Sequence, residues 1–466
     1  MMYSNFSIGK SLGAGMMFII TSFFSLKTYA ETNSSSILMQ PFPHISPEQK
    51  LNHSLGQALF EKLWVASPSS TTASDGLGPL FNARSCHSCH LNNGKGHAPT
   101  ELQNGVEVPS FFLRLKQWPR PDSNNSKTAV APDPIYGTQL QTNANINIRP
   151  EANLTLTYQY KTVTFADGTT SELRKPVYQL NNLSYGKLSN ATQLSGRVSP
   201  SIIGVGLFDS ITEADLLNSA DPDDKNNDGI SGRVNTVWDK TMQTWRVGRF
   251  GWKATTATLT EQNQSAFNGD LGISTPLFPN PYGDCTTHQV ACLSLPNGNS
   301  PHMENLEANS EVIKVVDIFT ALSAPPKIRN LNRETFKEGK KVFDLLQCSA
   351  CHTSVQRTGK DTTFPELNNQ TFYPFTDLLL HDMGQELADV GKEFDALGSE
   401  WRTAPLWGLS LSKLASGKQS FLHDGRARNI DEAILWHGGE GQKSRDSYLK
   451  LDKSQRSLLI RFLESL

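Results

Sequence analysis

One pentapeptide pattern, present twice, constrains this chain more than anything else in it. Cys86-His87-Ser88-Cys89-His90 lies in RSCHSCHLNNGKG, and Cys348-Ser349-Ala350-Cys351-His352 lies in QCSACHTS. Two cysteines separated by two residues can serve a disulfide, a zinc ion, a redox thiol pair or a covalently held haem. The first thirty residues bear on that choice. Lys10 precedes the apolar run LGAGMMFIITSFFSL, and TYA then closes on small residues, the layout of a secretory signal peptide cut after Ala30. The run is interrupted by Gly13, Gly15, Thr21 and Ser22 and falls short of the ~20 residues that span a bilayer. No later segment is apolar enough to cross a membrane. An exported chain matures where thiols oxidise, so all six cysteines should be covalently committed.

Histidine follows the second cysteine in both copies. Haem held by two thioether bonds needs two thiols about one helical turn apart and an imidazole beside them to ligate the iron. His90 and His352 are the expected proximal ligands, and Cys86, Cys89, Cys348 and Cys351 the attachment points of two haem c groups. A thioredoxin-like pair wants a preceding strand and no adjacent histidine. Zinc wants four ligands per site, and no second Cys/His pair lies near either motif. Cys285 and Cys292, in GDCTTHQVACLS, lack the trailing histidine and read as a short-loop disulfide. His288 between them leaves an incomplete metal set as the other reading.

At 466 residues the chain is long for one core, so two or three domains are expected. LGQALFEKLW precedes the first motif and FKEGKKVFDLLQ the second, sharing G-x-x-[LV]-F at Gly56–Phe60 and Gly339–Phe343. Each half also ends in a helical pattern, EVIKVVDIFTALSAPP and DKSQRSLLIRFLESL, and Pro325-Pro326 stop the first. The predicted fold is mainly α: two cytochrome c-like domains in tandem, over 31–328 and 329–466, with a β-containing insertion at about 130–245 in the first. Inside that insertion, NLTLTYQYKTVTFADGTTSELRKPVYQL alternates apolar and polar residues about Asp167-Gly168, which predicts a β-hairpin. Removing Lys10 and Lys27 takes the formal net charge from −2 to −4, a balance that argues against a nucleic-acid partner.

DPDDKNNDGISGRVN offers Asp224, Asn226 and Asp228 before Gly229, the D-x-N-x-D-G order that can wrap calcium. Position 235, where an EF-hand has Glu, is Asn, so a full EF-hand is excluded; calcium and a plain Asp/Asn/Gly turn are the two readings.

Beyond the motifs, RKPVYQL, GRFGWKA, LTEQNQSAFNGDLGIS, TDLLLHDMG, EWRTAPLWGL and FLHDGRARNIDEAILWHGGE occur in order. With these blocks the chain resembles the di-haem oxidoreductases related to bacterial di-haem cytochrome c peroxidases, in the long-insert branch described as di-haem thiol oxidoreductases. The resemblance implies a periplasmic protein with two unequal haems, one reacting with peroxide or another small oxidant while the other collects electrons. A small redox protein, a cytochrome or a cupredoxin, would be the partner. It also implies a calcium between the haem domains, without placing it at the Asp224 loop. The peroxidases use a Gln and a Glu to move a proton between peroxide oxygens; Gln262 and Asp270 stand at matching positions, with Glu261 and Gln264 as neighbours that compete for the assignment. For the sixth ligand of the second haem Met383 is the first choice and His381 the second, with His423 in the HDG segment ranked lower. The family's methionine near EWRTAPL has no counterpart here. His97 reads as a surface loop residue, and Trp252 and Trp407 either carry electrons between haems or pack against them. The competing function is a non-catalytic electron-transfer or redox-sensing cytochrome. An open sixth site on one haem separates the enzyme from the relay.

Overall fold

The computed structural model describes residues 34–71, 74–100, 109–121, 126–329, 332–360 and 362–466; the expected leader, 1–30, lies outside them. The expectation of a mainly α chain made of two cytochrome c-like domains is overturned. Among the described residues the chain is 31% helix and 19% strand, the strands forming seven separate two-stranded sheets. The reason is physical. Several strands are two or three residues long and exist only because a distant segment pairs with them, as Leu80–Phe81 does with Asn143–Ala144. No local alternation announces such a strand.

Helices gather beside the two motifs. Pro47–Glu61 starts on Ser46, whose hydroxyl accepts from Gln49 N, with proline in the first turn. It packs on Ser310–Leu322, capped by Asn309. Arg333–Leu345, capped by Asn332, packs likewise on Lys453–Ser465, which starts with an Asp452–Gln455 capping box. Both crossings run over a glycine. A Cβ at Gly56 would lie 2.2 Å from Val315 O, and one at Gly339 would lie 2.5 Å from Leu458 O. Four residues on, Phe60 meets Phe319 with ring centroids 5.1 Å apart, and Phe343 meets Phe462 at 5.4 Å. The repeated G-x-x-[LV]-F is thus a packing device: glycine lets the backbones touch, and phenylalanine fills the space under the motif.

The predicted hairpin forms, with Asn153–Thr164 antiparallel to Thr170–Asn181. Asp167 Oδ1 accepts from Thr169 N, and Gly168 adopts φ 80° in the turn. Its tip crosses to the second half of the chain. Phe165 and Leu173 join the core of Val342, Phe343, Trp436 and Tyr448; Ala166 N donates to Leu449 O at 2.9 Å, and Arg456 pairs with Asp167 at 2.8 Å. A second ribbon pairs Phe111–Gln117 antiparallel with Thr192–Val198. Cys285 and Cys292 are disulfide-bonded. Among the described residues no helix is long and apolar enough to cross a membrane.

Candidate functional site

The first motif sits on a single helical turn, Cys86–Cys89, whose N-cap Ser85 accepts from Ser88 N. His90 Nδ1 lies 2.8 Å from Pro200 O, and Phe60 stands 6.2 Å from the imidazole, centroid to centroid. In the second motif His352 Nδ1 lies 2.9 Å from Phe375 O, and Phe343 stands 6.5 Å away. A carbonyl at Nδ1 fixes the tautomer: Nδ1 carries the proton and Nε2 keeps its lone pair for a metal. Burial lowers both imidazoles to a pKa of about 4, so each is neutral and able to ligate.

All six residues face one cavity of about 750 Å³. None of the four motif cysteines is disulfide-bonded. Burial pushes the Cys86 and Cys348 thiols up to a pKa of about 12, the opposite of the low value that a redox-active pair has. Among the described residues no group of three or more His, Cys, Asp or Glu side chains is gathered to hold a metal ion. The donor set therefore fits two haems and not zinc. The cavity wall agrees: Arg249 Nε and Trp407 Nε1 are buried N–H groups on lining residues with no protein partner, as donors awaiting an acidic cofactor would be.

Beyond the shared features the two ends of the cavity diverge. Beside the first motif runs the helix Leu259–Leu271, capped by Thr258 and ended by Gly272 at φ 69°. Gln262 and Asp270, both sequence candidates, line the cavity from it. Asp270 Oδ1 accepts from Gln139 Nε2 at 2.7 Å, and burial raises its pKa. The competing neighbours separate by what they bond. Gln264 turns away and accepts from Leu277 N, while Glu261 reaches the cavity wall with its carboxylate on Lys240 N.

Beside the second motif, His381 is buried between two carboxylates: Nε2 is 2.8 Å from Asp377 and Nδ1 is 2.6 Å from Glu440. Both ring nitrogens are committed, so His381 has no lone pair for iron. Met383 lines the cavity and packs into the core of the second half. His423 also lines it, stacked on Trp401 at 3.7 Å, with burial lowering its pKa to about 3. His97 lies off the cavity, while Trp252, its indole N–H on Val198 O, and Trp407, stacked on Phe208, are part of the wall.

The structure brings Asp224, Asn226 and Asp228 together in one turn away from the cavity. Asp224 Oδ1 accepts from Asp228 N at 3.0 Å, and Asn226 Nδ2 donates to Asp228 Oδ2 at 3.0 Å. Further bonds from Lys225 N to Asp221 and from Gly229 N to Asp224 help close the turn.

Three features escape sequence reading. Lys95 Nζ donates to Leu422 O beneath Trp252, its pKa lowered by burial to about 7. Lys253 and Arg197 also lie against the Trp401 ring, the latter paired with Asp389 at 2.6 Å. His437, in ILWHGGE, lines the cavity and carries the only local signal: histidine at a helix end before two glycines.

The comparisons follow this geometry. The family model described as "Di-haem oxidoreductase, putative peroxidase" matches residues 21–466. No curated protein matches the chain. A solved structure of Kuenenia stuttgartiensis hydrazine synthase, pressurised with xenon, is similar over 98% of this chain and 100% of that one, at 12% identity and a TM-score of 0.35. With two C-x-x-C-H pentapeptides in one cavity and a family match over nearly its whole length, the chain belongs to the di-haem oxidoreductase family.

Proposed function

We propose that the chain is a periplasmic, peroxidase-like oxidoreductase that binds haem covalently at Cys86/Cys89 and at Cys348/Cys351 and reduces a small oxidant at the first of these sites. Haem at these positions supplies iron that exchanges electrons and, where its outer face is open, takes up an oxidant. The observation that carries the reading is the asymmetry of the cavity. Its first-motif end is walled by Gln262 and Asp270, and its second-motif end offers His437 and Met383.

Gln262 contributes an amide that can donate to a departing oxygen. Asp270, its Oδ1 fixed by Gln139, presents Oδ2 as the atom that accepts and returns a proton. Reduction of one hydrogen peroxide to two waters consumes two electrons and two protons, and a cytochrome or cupredoxin is the proposed source of the electrons.

The test is peroxide turnover by the purified holoprotein with a reduced donor. The reading predicts two thioether-bound haems per chain and turnover that falls about 10²–10³-fold in Gln262→Ala and in Asp270→Asn. Turnover unchanged in both variants would remove these residues from the mechanism. Two low-spin haems indifferent to peroxide would favour an electron relay instead.

A further inference from the structure

The sixth ligand of the second haem is open among Met383, His381 and His423 when only the sequence is considered. We infer that it is none of these, and that His437 is the second axial ligand of the haem held by Cys348 and Cys351. The inference rests on the proposed covalent haem at that site and deepens it.

Among the described histidines that line the cavity, three have Nδ1 on a main-chain carbonyl: His90 on Pro200 O, His352 on Phe375 O and His437 on Ala433 O at 2.7 Å. The first two are the proximal ligands, and the third has the same preparation, with Nδ1 as donor and the Nε2 lone pair free.

The chain on either side holds the ring in place. Ala433 is four residues earlier, at the last turn of Ile430–Leu435, so the bond is local. A Cβ at Gly441 would lie 3.0 Å from His437 Cβ and 3.2 Å from Cδ2, which closes one side of the ring. Gly439, at φ 52°, folds the chain against the segment that carries Met383: a Cβ there would lie 2.3 Å from Asp382 O. The rivals are engaged elsewhere. His381 has both nitrogens on carboxylates, His423 is stacked on Trp401 beside Asp424, and Met383 packs among core side chains.

Two imidazoles give a lower reduction potential than one imidazole and a thioether. The second haem would then be a filled, low-potential electron carrier, with no face open to an oxidant.

The experiment is near-infrared magnetic circular dichroism and electron paramagnetic resonance of the ferric holoprotein, with the intact mass reporting the haem count of every variant. Expected are a low-spin bis-imidazole signal in the wild type and no far-red methionine–iron band, with no change in Met383→Leu. His437→Ala should turn that haem high-spin, and added imidazole should restore the low-spin signal. His437→Met should create the methionine band and raise the potential. A methionine band in the wild type that Met383→Leu abolishes overturns the inference, as does a low-spin signal that survives His437→Ala. Should His437→Ala fail to load haem, the wild-type spectrum together with His437→Met decides. A mass without two haems would instead show that the underlying covalent-haem reading is wrong.

Discussion

The two ends of the cavity are built alike behind the proximal histidine and differently in front of it. Behind each stand a glycine-crossed helix pair, a phenylalanine under the imidazole and a carbonyl on Nδ1. Beside the first motif a helix presents Gln262 and Asp270 to the cavity; near the second the cavity is lined by His437, Met383 and the carboxylate-bound His381. Orienting an imidazole beside a C-x-x-C-H motif is one physical problem with one solution, used twice. What the bound group then does depends on the opposite face, and there the halves share nothing.

The largest effects should come from removing the thiols. Cys86→Ser with Cys89→Ser, and Cys348→Ser with Cys351→Ser, should each cost one haem by intact mass. Only the first pair should also abolish the spectral response to peroxide; equal loss in both would break the proposed division. Next come the helix crossings. Gly56→Ala and Gly339→Ala should each destabilise by about 1–3 kcal/mol or more in denaturant unfolding, the first more strongly because its Cβ would approach a carbonyl at 2.2 Å against 2.5 Å. A neutral outcome at either site would show that the repeat is not a packing device.

The halves should differ in pH dependence as well. Glu307, in the first half and buried, has its carboxyl raised by desolvation from an ordinary 4.5 to about 7, although Ser274 N and Gly298 N donate to it. The folded state therefore holds this proton more tightly than the unfolded state. Stability should fall as pH rises from about 4.5 and level off near 7, by on the order of 3 kcal/mol at most. Chemical denaturation of wild type and Glu307→Gln across that window checks it, the variant losing most of the slope. The smallest effect should be at the hairpin tip. Thr169 and Arg456 lower Asp167 to a pKa of about 2, so its contribution is present above about 3.8 and disappears as pH falls towards 2. Asp167→Asn should lose that acid limb, being slightly less stable than wild type at neutral pH with the difference vanishing towards pH 2.

The two C-x-x-C-H motifs are legible in the sequence because each confines its two cysteines and its histidine to five consecutive positions. The carbonyls that orient the histidines are not: Pro200 lies 110 residues after His90, and Phe375 lies 23 after His352, so only the fold brings them there. The hairpin about Asp167 is legible from its alternation, but its destination is not, since Phe165 and Leu173 read simply as apolar wherever they pack. The helix bias of the predicted fold has a related origin. Amphipathic helices repeat within a short window, whereas strands such as Leu380–Asp382 and Glu400–Arg402 depend on each other across a loop. His437 is hard to see for the same reason, because an axial ligand opposite its motif has no fixed spacing from it.

The most direct test of the central claim is electron paramagnetic resonance of the holoprotein, oxidised and then half-reduced, beside the Cys86→Ser/Cys89→Ser variant. The account predicts one low-spin haem in every sample and, in one of the two redox states, a second haem that is high-spin, responds to peroxide and vanishes in the variant. A high-spin, peroxide-responsive signal that persists in the variant, or two haems that remain low-spin throughout, would contradict it.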